Sequence, residues 1–121
     1  MFKHLAILVY SSMLYVGGWQ QAQEPTGRAE RARSQGMPVP DALVQVSGWG
    51  MIAGALALHV ASLRHPAALM LAFQLLPITW IGHRFWDMDE GPQRSQNRIH
   101  FFKNVSMIGA ALYIAATADS R

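Results

Sequence analysis

Cysteine is absent from this chain of 121 residues. That removes disulfides, thiol relays and thiolate metal sites, and it leaves the redox compartment open. Charge is scarce as well. Only 14% of residues are Asp, Glu, Lys or Arg, where soluble domains carry about 25%. The signatures of common enzyme sites are also missing. There is no Ser/His/Asp order, no phosphate-cradling glycine loop and no metalloprotease spacing. The acidic run Asp87, Asp89, Glu90 lacks the later ligands of a calcium loop, so a solvated loop and no metal are expected. No repeat or low-complexity tract stands out.

Long apolar runs are what the chain does have. Hydrophobic residues make up 51%, and the mean hydropathy is a modest +0.13, so the distribution decides the class. Four windows of bilayer-crossing length, His4–Gln23, Ala42–Leu63, His65–His83 and Ile99–Ala118, contain a single charged residue, Lys103. A span needs about 20 apolar residues. The expectation is an all-α integral membrane protein, one domain over 1–121, folded as an up-down-up-down bundle of four helices near 4–23, 42–63, 67–83 and 99–117. A soluble bundle would need a polar face on every helix, and Ala42–Leu63, the strongest of the four spans, has none. The pI of 9.8 does not point to nucleic acid, because the basic residues fall in short connections between apolar runs.

Lys3 and His4 ahead of Leu5–Val16 have the form of a signal peptide; the expectation is a retained first helix. Arg28–Arg33 reads as a short surface helix, Gly36 and Met37–Pro40 as a turn, and Asp41 as an N-cap. Pro77 lies inside the third span, where bilayer bundles tolerate a kink. The two long connections hold Arg28, Arg31, Arg33, Arg84, Arg94, Arg98 and Lys103, against Lys3, Arg64 and Arg121 on the other face. The positive-inside bias therefore favours cytoplasmic connections with both termini outside.

Gly50 and Gly54 are spaced for close helix packing in lipid. His59 and Gln74 fall at comparable depth on neighbouring spans and are expected to bond to each other. Two segments place costly polar groups near membrane depth. If the third helix runs on past residue 83, then Trp80, His83, Arg84 and Asp87 share a face; His100, Lys103 and Asn104 share one at the start of the fourth. Brought together, His83, Arg84, His100, Lys103 and Asn104 offer donors to an anion or to the carbonyls of a quinone, walled by Trp86. The plainer reading has Arg84 and Lys103 snorkelling to the interface, with the remainder as helix glue.

These segments are similar to the DoxX family of small bacterial membrane proteins. The resemblance rests on Gly36-Met37-Pro38-Val39-Pro40, Gly48 and Gly54, His83-Arg84-Phe85-Trp86 and, above all, Phe101-Phe102-Lys103-Asn104. It implies four transmembrane helices in the bacterial inner membrane. It also implies a link to redox processes, since family members include subunits associated with thiosulfate:quinone oxidoreduction. The implied function is a membrane subunit presenting a quinone or small-anion site, without a cofactor of its own, among lipid and other protein subunits or further copies of itself. The alternative is a non-catalytic scaffold that anchors a partner. Members often carry a lysine after the first helix, where this chain has Trp19-Gln20-Gln21, and a glutamate in the second, aligned with Met51. An activity that needs that acid is not expected here.

Overall fold

The computed structural model describes residues 2–118. Among them there are five α-helices, one 3₁₀ turn and no strand. The first, α1, spans Phe2–Gln23, and α2, Thr26–Ser34, is the short helix expected from Arg28–Arg33. The longer helices α3 (Asp41–Ala57), α4 (Arg64–Gly82) and α5 (Pro92–Thr117) follow. The 3₁₀ turn Phe85–Asp87 leads from α4 towards α5. The chief packing pairs are α1 with α3 and α4 with α5, joined by a lighter α3–α4 contact, and α2 lies against α3 and α4.

Leu14, Leu58 and Leu71 fill the core among many alanines, while many other large apolar side chains face outwards. Phe73 is 75% exposed and Tyr113 71%, while Ala55, Ala68 and Ala111 are fully buried. In water this arrangement would waste the hydrophobic effect; in hydrocarbon, close packing of small residues is what draws helices together. The hydroxyls behave accordingly. Ser11 donates to Ile7 O at 2.7 Å, Thr79 to Leu75 O at 2.6 Å and Thr117 to Tyr113 O at 2.8 Å, so each is satisfied within its own helix. Helices α4 and α5 are each long and apolar enough to cross a membrane.

Helices α1 and α3 approach each other closely. A Cβ on Gly48 would stand 2.5 Å from Gly18 O, and one on Gly18 would stand 2.6 Å from Gly48 O. Backbone meets backbone here. Gly54 faces Met70 and Leu71 of α4, and Gly50 faces the Gln74 amide, so the Gly50/Gly54 spacing is used within the chain.

Several sequence expectations are corrected. The run Ala42–Leu63 yields the shortest of the long helices, because residues 58–63 turn instead of continuing. Consecutive three-residue bonds, His59 N–H to Leu56 O and Val60 N–H to Ala57 O, make that turn. Arg64 completes it from within α4, with Nε donating to Leu58 O at 2.6 Å. Apolar composition cannot tell such a turn from helix. At the other boundary α5 begins seven residues before Ile99, with Pro92 at its first position, where a missing N–H costs nothing. Asp41 opens α3 without capping it; its carboxylate accepts from Thr26 Oγ1 at 2.9 Å and pairs with Arg33 at 3.4 Å. His59 and Gln74 do not meet. The His59 ring stacks on His4, with Nδ1 atoms 2.8 Å apart, and Gln74 donates to Ser47 O at 2.6 Å.

Candidate functional site

The cavity end of the molecule is assembled where α1 and α4 finish and α3 begins. After α1, the sequence Pro25-Thr26-Gly27 turns the chain into α2, whose Ala29 and Ala32 are buried. Gly36 ends α2. Its φ of +84° belongs to the left-handed region that a side chain resists. Gly36 N–H then bonds Arg33 O while Met37 N–H reaches back to Ala32 O, the paired bonds of a Schellman close. The chain is thereby turned back towards α3. Two side chains fasten it to the end of α4: Arg31 donates to Gly82 O at 2.8 Å and Gln35 to Ile81 O at 3.0 Å. These carbonyls would otherwise lack partners at the helix terminus.

Between these elements lies a cavity of about 820 Å³. Leu43, Val44, Pro77, Ile78 and Ile81 form its apolar walls, while Gln20, Gln21, Glu24, Arg28, Arg31, Ser47 and His83 supply its polar groups. Partial burial and the nearby charge of Arg31 lower the Arg28 pKa, with Glu24 opposing. Apolar walls with a few convergent polar groups are the usual build of a ligand site.

His83 joins this cavity to the α4–α5 boundary. Its Nδ1 lies 3.1 Å from Asn97 Oδ1, and Asn97 Nδ2 donates to Gln93 O at 3.0 Å. The second bond orients the amide so that its oxygen faces the imidazole, which makes Nδ1 the donor and leaves Nε2 as an acceptor. Burial lowers the His83 pKa. The Asn97 bond opposes that shift, and the charges of His100, Lys103 and Arg31 add to it. At neutral pH the ring is therefore neutral.

The other residues singled out in the sequence gather behind His83 without lining the cavity. The His100 ring lies 5.3 Å from that of His83. Helix α4 ends at Gly82, so Trp80, His83, Arg84 and Asp87 do not share a helical face as expected; the 3₁₀ turn brings them near one another instead. Arg84 pairs with Asp87 at 3.4 Å and stands 5.2 Å from the Trp80 ring and 6.0 Å from that of Trp86. Trp86 packs edge-on against Phe101 at 5.4 Å. Asn104 is buried on α5, and Lys103 is half-buried beside it. Sequence reasoning missed Gln20, Gln21, Arg28 and Arg31. Their signal was the four-residue spacing of Gln20 with Glu24 and of Gly27 with Arg31, which becomes visible only once α2 folds against α4.

The fold and the outward apolar surface define a helical membrane protein with a polar cavity near one end. A model of the DoxX family matches residues 4–84, and the chain belongs to the DoxX family. It is 32% identical over 91 residues to the inner membrane protein YphA of Escherichia coli (strain K12), an overlap covering 75% of this chain and 64% of YphA. The chain thus spans less than two thirds of that relative's length. No solved structure matches it. Family and relative together with the apolar helices assign the chain to the bacterial inner membrane. The family match stops before His100, Lys103 and Asn104. The Gln21 amide contacts Met51 Sδ at 3.3 Å, and both residues are buried.

Proposed function

We propose that this DoxX-family chain crosses the inner membrane with α1, α3, α4 and α5 as a four-helix bundle and holds a quinone head group in the cavity beside His83. A second protein would exchange electrons with the bound ring, so the chain acts as a membrane subunit that supports redox chemistry. At 17 residues, α3 covers about 25 Å, and tilt or local thinning of the bilayer accommodates a span of that length.

The observation that carries the reading is the neutral His83 with Nε2 left as an acceptor on an amphipathic cavity. Quinone carbonyls need donors, and the hydroxyls of the reduced ring need an acceptor. Gln20, Gln21 and Arg28 line the same space and offer the first; His83 offers the second. Lys103 and His100 act on this ligand through His83 by keeping its ring neutral. Arg84, Trp86 and Asn104 hold the wall that supports it.

Arg28 and Arg31 on the cavity favour a second reading, a small oxyanion. The scaffold alternative would have to use the exposed face of α2, because Gly54 is buried against α4. The test is quenching of tryptophan fluorescence by decylubiquinone in nanodiscs. Saturable quenching that His83→Gln weakens about tenfold, the scale of one lost hydrogen bond, supports the quinone. Unsaturable quenching, or an unchanged variant, removes it. Displacement of the quinone by millimolar thiosulfate in the wild type but not in Arg28→Gln would favour the anion.

A further inference from the structure

The end of the molecule where α1 begins and α5 finishes carries a second depression. Lys3, His4, His59, Arg64 and His65 gather at this end. Every acid among the described residues, from Glu24 to Glu90, belongs to the other end or its connections. Arg64 is only 7% exposed. Its guanidinium donates to Leu58 O at 2.6 Å and His59 O at 3.5 Å, and carbonyls spread a charge without neutralising it. Among the described residues no carboxylate pairs with Arg64 or Lys3. A buried cation at a membrane boundary calls for an anion.

A groove of about 410 Å³ runs between α1 and α5 at this place. Lys3 and Arg64 lie on it at the boundary, and Ile7, Ala110 and Ile114 continue it towards the middle of the helices, beside Tyr113. On α1 the order Lys3, Ile7, and on α5 the order Ile114, Ala110, run the same way, from charge to hydrocarbon. A phospholipid has the same sequence of parts. Arginine has five N–H donors, and the two bonds to the turn after α3 leave others for a phosphate.

We propose that this groove binds an anionic phospholipid, with Lys3 and Arg64 on the phosphate and an acyl chain along Ile7, Ala110 and Ile114. The groove lies at the opposite end from the His83 cavity, so either assignment can fail alone.

The test is native mass spectrometry of lipids retained by the full chain after reconstitution with equal amounts of dioleoyl phosphatidylglycerol and dioleoyl phosphatidylcholine. Two cations at a membrane surface predict retention of the anionic lipid by about thirtyfold. Lys3→Gln should cut that ratio several-fold, and Ala110→Phe, which fills the groove, should abolish it with the melting temperature in phosphatidylcholine unchanged. Arg64→Gln also disturbs the end of α3, so the other two variants decide. Equal retention of the two lipids by the wild type, or a full preference kept by Ala110→Phe, overturns the proposal. So does inorganic phosphate that stabilises the chain in phosphatidylcholine as much as phosphatidylglycerol does.

Discussion

The two ends of the molecule close by the same device and differ in what accompanies it. At the cavity end Arg31 satisfies the last carbonyl of α4; at the groove end Arg64 satisfies the carbonyls after α3. Each end also holds a close pair of histidine rings, tilted for His83 with His100 and stacked for His4 with His59. At the cavity end Arg28, Arg31 and Arg33 are exposed and Arg84 half-buried, and they share their surroundings with Glu24, Asp41 and Asp87. At the groove end the arginine is buried and no described acid stands near it. On the two proposed readings, a charge-balanced end accepts a dipolar ring, and an end whose described charges are all cations takes an anion.

The largest effect that would disturb this arrangement is expected between the ends. Gly48→Ala sets a Cβ 2.5 Å from Gly18 O, and two backbones cannot yield as a side chain can. It should cost about 3 kcal/mol in denaturant unfolding from mixed micelles and collapse the cavity, which Gln21 and Ser47 line on either side of the crossing. Retained stability would mean that the helices are farther apart than described. At the groove end Arg64→Gln leaves buried carbonyls short of donors and should cost about 2 kcal/mol in the same assay. Arg33→Gln at the cavity end breaks an exposed pair of 3.4 Å and should cost under about 1 kcal/mol. Equal losses would erase the contrast drawn between the ends.

A smaller effect concerns pH. Burial holds His83 below its ordinary 6.5, so the unfolded chain takes up its proton first on acidification. The stability that comes from a neutral ring is whole above that value and is lost as the pH falls through the folded one. Melting between pH 8 and pH 5 should show this decline, and His83→Gln should flatten it. Lys103→Met removes a charge that opposes protonation, so it should make the decline smaller and end it at a higher pH; a larger decline running to lower pH would contradict the placement of Lys103. The smallest effect is expected at Gly50. A Cβ there meets only the Gln74 amide, at 3.4 Å, so Gly50→Ala should stay within about 0.5 kcal/mol of wild type.

Much of the fold was legible because hydrocarbon imposes length. Four apolar runs foretold four long helices, and Arg28–Arg33 foretold α2. Helix ends were harder. Residues 58–63 are apolar yet turn, and residues 92–98 are polar yet helical, although Pro92 carried a start signal. His83 was legible as a polar group at membrane depth. The rest of the cavity was not, because it depends on contacts between distant segments, Arg31 with Gly82 and Gln35 with Ile81. The tight crossing of Gly18 and Gly48 was hidden for the same reason: one glycine on each helix matters only in the register that brings them face to face.

Photolabelling with an azidoquinone in nanodiscs, with adducts mapped by peptide mass spectrometry, tests the cavity most directly. Adducts are expected on the segments 20–31 and 77–83, lost in His83→Gln and suppressed by excess decylubiquinone. Adducts spread over the outward faces of α4 and α5 around Phe73 and Tyr113, insensitive to competitor, would show a quinone dissolved in lipid and no site beside His83.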